Sequence, residues 1–278
     1  MGHPSHSFRW WIPLVALLGV VIVGAAVVVV LFLARDEPAP KSVPEAVEEF
    51  EATTSEPDAT VSGPESARPP AGVYVLDGEG REEISFPPAS QDDGATMPAS
   101  ITHQAEGCWS FKIDYNEAHW QDWSLCPRGD GLVEMGGRTW QQWDLGVSEV
   151  SNLSTFECDP PAPFAPAAAA AGDEIDRSCI GTNDQVSGTT RSAGTVTVVG
   201  FDQIDVEEEL HEVVHLRFDH ELTGAQTGQE RTDLWLRRSD WLPLQGARDI
   251  RIDSDSPVGT ITYTERGSWQ LSSTTPAN

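Results

Sequence analysis

The feature that most constrains this chain is a two-residue alternation in its C-terminal third. Val214, Leu216, Phe218 and Leu222 alternate with His215, Arg217, Asp219 and Glu221. Leu244, Ile250 and Ile252 alternate with Gln245, Asp249 and Arg251, and Ile261, Tyr263, Trp269 and Leu271 with Thr260, Thr262 and Thr264. Successive side chains of a strand point to opposite faces, so each segment reads as a strand with one packed and one wet face. Strand-like segments separated by Gly, Asp, Asn and Ser recur along 72–77, 81–87, 97–105, 108–115, 119–126, 131–135, 138–144, 150–157, 194–205, 213–223, 230–238, 244–252 and 259–271. This spacing predicts an antiparallel, mainly β domain over 72–273, with a short tail at 274–278. One interruption, "DPPAPFAPAAAAAGDEIDRS" at 159–178, carries five consecutive alanines after several prolines and reads as a Pro/Ala excursion loop or a short helix.

The segment ahead of this domain is different in kind. Trp10–Ala34 contains no charged residue over 25 positions, long enough to cross a bilayer as a helix. A cleaved signal peptide has a shorter apolar core and a small-x-small cleavage site, which "LFLARDEP" does not supply. The expectation is therefore one transmembrane helix at 10–34, with residues 1–9 as a cytoplasmic stub. Residues 35–71 are acidic and rich in Pro, Ser and Thr, and read as a disordered linker, with a short helix at Pro44–Ala52 as an option. All four cysteines, Cys108, Cys126, Cys158 and Cys179, follow the apolar run, as expected of disulfides in an oxidising compartment. The main domain is thus expected outside the cytoplasm of a single-pass cell-membrane protein. With 44 acidic against 17 basic residues the formal charge is -27, which repels phosphate backbones and excludes a nucleic-acid partner.

The motif HEVVH at 211–215 matches the zinc-peptidase pattern H-E-x-x-H. That chemistry requires a helix, where residues four apart rise about 6 Å and both imidazoles reach one ion. In a strand the same residues are separated by about 13 Å. The β-branched Val213 and Val214, and an alternation that begins inside the motif, favour a strand. No third ligand follows at the spacing of the extended motif, where Phe218 and Glu221 stand. His211 is then expected at or before the strand start, in the acidic turn, and His215 on the outer face. No metal site and no cofactor are expected. The Asp-rich "DSDSPVG" at 253–259 reads as a hairpin turn, and "NLS" at 152–154 is a glycosylation sequon.

Two pairings follow from register. A hairpin centred on Glu117 brings Cys108 opposite Cys126, with Trp109, Phe111, Ile113, Trp123 and Leu125 on the other face. Cys158 and Cys179 then clip the Pro/Ala excursion. Arg248 and Glu265 each lie on an otherwise apolar face of neighbouring strands and are expected to pair, because an unpaired buried charge is costly.

The stretch "DLWLRRSDWLPLQGARDIRID" at 233–253, together with the Gly72-Val73-Tyr74 opening strand and the Cys108–Cys126 hairpin, resembles an uncharacterised family of membrane-anchored actinobacterial envelope proteins. Their domain is similar to the periplasmic lipoprotein carriers (LolA-like). The resemblance implies a half-open antiparallel barrel, or strongly curved sheet, with a concave apolar face, and it carries over no catalytic residue. The expected function is non-enzymatic: a membrane-tethered domain binding an apolar ligand, such as a lipid, or an envelope protein. Phe218, Leu236, Arg248, Ile250, Tyr263 and Glu265 are the expected lining. The competing readings are a structural or adhesive module without a pocket and, disfavoured, a zinc metallopeptidase.

Overall fold

The computed structural model describes residues 37–54, 68–129, 131–146, 148–166, 168–257 and 259–277. The apolar run 10–34 lies outside the described residues, and among the described ones no helix is long and apolar enough to cross a membrane. The described residues of 37–143 and 151–277 belong to one compact unit.

Among the described residues one α-helix, α1 (Val43–Thr54), precedes thirteen strands: β1 (Gly72–Ser85), β2 (Pro88–Asp92), β3 (Thr96–His103), β4 (Trp109–Asn116), β5 (His119–Arg128), β6 (Gly131–Asp144), β7 (Glu149–Ala165), β8 (Glu174–Asn183), β9 (Thr190–Val206), β10 (Glu209–Gly224), β11 (Gln226–Arg237), β12 (Pro243–Ser256) and β13 (Gly259–Leu271). From β3 to β13 each strand pairs with the next in an antiparallel meander. The sheet then closes on itself, because β13 pairs with β1 from Leu76↔Leu271 to Ile84↔Tyr263. β2 and β3 share the opposite edge of β1, against its second and first halves, so they act as one interrupted strand.

The result is a closed twelve-strand antiparallel barrel, which corrects the expected half-open one. A half-open sheet would leave rows of unpaired N–H and C=O groups on both β1 and β13, and closure satisfies each row with the other. The concave face of the expected half-barrel is accordingly an enclosed interior.

Several local readings also change. The segments 72–77 and 81–87 are one long strand, as are 131–135 and 138–144, and β2 and β8 were not anticipated. The 159–178 excursion is shorter than its composition suggests. β7 pairs with β8 only from Ser154 to Glu157, so the prolines at 160, 161 and 163 fall beyond that ladder and remove no bond from it. The end of β7 then turns into the core, where Phe164 and Ala165 are buried. Within 35–71, α1 overlaps the optional helix at Pro44–Ala52 and is held against the barrel. Ser42 Oγ accepts from the Glu45 N–H at its N-terminus, Ala46 is buried, and Lys41 bridges Glu49 on α1 to Asp114 on β4.

Both expected disulfides are present, Cys108–Cys126 and Cys158–Cys179. Trp109 faces Leu125 and Phe111 faces Trp123 in the β4–β5 ladder, and these four side chains join the core on the side away from the sulfurs.

Candidate functional site

The interior has two ends of opposite chemistry. At one end Leu76, Leu216, Leu234, Leu236, Leu244, Trp269 and Leu271 pack into a continuous apolar core with Trp109 and Phe111. Further along the same inward faces the apolar residues give way to charge. On β13 the sequence inward is Leu271, Trp269, Gly267, Glu265, Tyr263; on β12 it is Leu244, Gly246, Arg248, Ile250. Gly246 has no side chain because the Trp269 ring lies where its Cβ would be, at 2.5 Å. On β1 the corresponding residue is Glu82, and on β5 it is His119.

Arg248 forms an ion pair with Glu265, as register predicted, and Nη2 donates to Asp93 Oδ2 at 2.8 Å. Its guanidinium lies over the Tyr115 ring, 3.4 Å from the centroid. Gly80 makes room for Asp93, whose Oδ2 would lie 2.0 Å from any Cβ there. Glu82, fully buried, accepts from Gln91 at 2.5 Å and Gln141 at 2.9 Å, and the His119 imidazole lies 3.3 Å away. The Tyr263 hydroxyl is 2.9 Å from Glu82 and 2.6 Å from Glu265, and its single proton serves one carboxylate at a time.

The charge states follow from this arrangement. Burial works against the charged His119 imidazole, but Glu82 and Glu265 outweigh it and raise its pKa. Burial likewise pushes Glu82 upward, yet His119, Gln91 and Tyr263 together hold it below the usual carboxylate range. Asp93 has no such surplus of partners. Burial raises it from its ordinary 3.8 to about 6, with Arg248 only partly offsetting this.

Beside this cluster is a cavity of about 110 Å³. Trp123, Phe156, Phe164, Phe218, Leu234 and Ile250 supply its apolar lining, and its polar lining includes Glu134, Arg177, His220, Glu230 and the Asp122–Arg138 ion pair. Arg177 Nη2 donates to Glu134 at 2.5 Å, and the guanidinium packs 5.0 Å from the Phe218 ring centroid. Its Nε and Nη1, and Nε2 of His220, are buried with no hydrogen-bond partner. Ile250, Ile252, Ile261 and Tyr263 are partly exposed, so the barrel is less tightly sealed at this end than at the leucine end.

Of the six residues expected to line a ligand site, Phe218 and Ile250 line the cavity. Arg248, Tyr263 and Glu265 belong to the polar cluster, and Leu236 is fully buried in the apolar core. The reading missed Glu82, His119, Asp93, Glu134 and Arg177. For His119 a signal existed, since it shares a strand face with Gln121, Trp123 and Leu125 just as Glu265 shares one with Trp269.

A larger hollow, about 890 Å³, lies over the outward charged rows that include Arg81, Asp219, Arg231, Asp249 and Arg266. Arg231 pairs with Asp219 at 2.7 Å and Arg266 with Asp249 at 3.1 Å, so these charges already satisfy one another. HEVVH lies inside strand β10. His211 sits opposite Ile204 within the strand, which corrects its expected place in the turn: Glu207 and Glu208, both at positive φ, make a two-residue turn and the strand begins at Glu209. His215 stacks on Trp235 at 4.0 Å, and its Nε2 is 2.6 Å from Asp233. The one grouping of three metal-ligating residue types among the described residues is Glu134 with Cys158 and Cys179, and that disulfide has no thiolate to offer.

No protein-family model matches the chain, and no curated protein matches it. Among solved structures it is similar to the hypothetical lipoprotein YmcC from Escherichia coli (K12), with 10% identity and a TM-score of 0.33 over 82% of this chain and 97% of that one. The functional reading therefore rests on the site itself.

Proposed function

We propose that this chain is a membrane-tethered, extracytoplasmic, non-enzymatic binding module that takes an apolar ligand into the polar end of its barrel. The membrane is reached through the uncharged run Trp10–Ala34, and the four disulfide-bonded cysteines fit an oxidising compartment. The observation that carries the reading is the aromatic-lined cavity, in which unpaired polar groups of Arg177 and His220 stand beside Phe164 and Phe218. Ligand sites combine an apolar wall with a few oriented polar groups in this way. A structural module without a ligand is the second reading, favoured by the extent to which the barrel's own side chains fill its interior.

Native mass spectrometry of the purified full-length chain tests the first reading. A bound apolar species, lost in a Phe218→Asp variant that remains folded, supports it. A mass equal to the chain alone, together with no shift in melting temperature on adding apolar probes, supports the structural module instead.

A further inference from the structure

Arg177 sets the chemistry of the cavity more narrowly than an apolar ligand alone requires. Its side chain is 3% exposed, so no bulk water serves its guanidinium. A guanidinium carries five N–H donors, and Glu134 accepts from Nη2 only, leaving Nε and Nη1 unpaired. Leaving such donors unpaired in a buried place is expensive. The Phe164 and Phe218 rings hold the guanidinium plane, at 6.0 and 5.0 Å, and cannot accept in the plane where these N–H groups point. His220 adds a second unpaired ring nitrogen on the same cavity. Both groups sit on paired strands: Arg177 is opposite Gly194 in the β8–β9 ladder, and His220 is opposite Glu230 in the β10–β11 ladder.

Building on the proposed binding function, we infer that the cavity is a site for a small monocarboxylate with a short-chain apolar body. One carboxylate oxygen accepts from an unpaired Arg177 N–H, Nε or Nη1, and the other from His220, and the body packs between Trp123, Phe164, Phe218 and Ile250. The Arg177 N–H groups require an acceptor, a guanidinium matches a carboxylate better than any neutral acceptor, and His220 joins as a donor through its Nε2–H form. The size sets the body: an apolar cavity of about 150 Å³ holds one benzene ring, so this smaller space, part of it taken by the carboxylate, holds a short chain rather than a ring or a diacyl lipid.

The test is calorimetric titration of the full-length chain with butyrate and, separately, with butyramide as its neutral counterpart of the same shape. Butyrate is expected to bind, and butyramide to bind roughly tenfold more weakly. Arg177→Met is expected to weaken butyrate roughly tenfold or more and to remove its preference over butyramide. That variant leaves Glu134 unpaired and can destabilise the fold, so Arg177→Met with Glu134→Leu, which removes both charges, is measured beside it with the same expectation. Butyramide binding as tightly as butyrate, or butyrate binding unaffected in the double variant, overturns the carboxylate assignment while leaving a binding module standing. Binding of neither probe overturns both.

Discussion

The two ends of the barrel interior are built from the same strands and differ in how their burial is made stable. The end around Leu76, Leu236, Leu244 and Leu271 needs only shape, since apolar burial is non-directional and tolerates approximate packing. The end around Glu82, His119, Arg248 and Glu265 is equally buried but needs direction, because every charge there must find its opposite within a few ångströms. Close packing makes the first end sealed. The fixed geometry of the second leaves space that side chains do not fill, and the cavity with Arg177 and His220 opens beside it. Stability belongs to both ends, and the proposed binding site lies at the polar one.

The largest expected effect breaks the polar end. Arg248→Met removes the partner of Glu265 and Asp93 and should cost about 3–5 kcal/mol in denaturant unfolding. Replacing Arg248 and Glu265 together by Met and Leu should recover part of that loss. A loss below about 1 kcal/mol for Arg248→Met would show that the polar end contributes nothing directional. At the other end, Leu236→Ala should cost about 3 kcal/mol through the cavity it leaves, with no dependence on pH.

A titration sharpens the contrast. The folded protein holds the Asp93 proton more tightly than the unfolded chain, about 6 against 3.8. The stability this group contributes is therefore present below pH 3.8 and is lost as pH rises through about 6. Glu82 has the opposite sign, losing its contribution as pH falls through its lowered value, and His119 loses its own as pH rises through its raised one. Subtracting the stability curve of Asp93→Asn from that of the natural protein isolates the first term. The difference should fall by on the order of 3 kcal/mol between pH 3.5 and 7. A flat difference would mean that Asp93 is not buried beside Arg248.

The smallest effect is a control outside both regions. His215→Ala loses one stacking contact and one bond to Asp233, about 1 kcal/mol, and should leave ligand binding unchanged. Elemental analysis should find no stoichiometric zinc in the natural protein, and one equivalent lost on His211→Ala would contradict the strand reading of HEVVH.

Much of the apolar end was legible in the sequence. Alternation of period two placed Leu216, Leu234, Leu236 and Leu244 on buried faces, and hairpin register paired Cys108 with Cys126. Register also reached one step into the polar end, pairing Arg248 with Glu265, because β12 and β13 are adjacent in the chain. It stopped where contacts become long-range. Glu82 and Asp93 meet these residues only because β1 pairs with β13, nearly 200 residues away, and no local pattern signals that closure. Arg177 and Glu134 are likewise 43 residues apart and looked like ordinary solvated charges. The prolines of β7 concealed a strand for a simpler reason, since proline argues against strand unless the missing N–H has no partner to lose.

Closure of the barrel is the claim on which both the interior and its cavity depend, and amide hydrogen exchange tests it residue by residue. In an open sheet, β13 would have one unpaired edge, and every second amide between Ile261 and Leu271 would exchange at the rate of a solvated strand. In the closed barrel β13 is paired with β12 on one side and β1 on the other, from Tyr263 to Gln270. Uniform protection of all these β13 amides, matching that of β12, is the predicted result. Alternating fast exchange along β13, mirrored along β1 from Leu76 to Ile84, would contradict it.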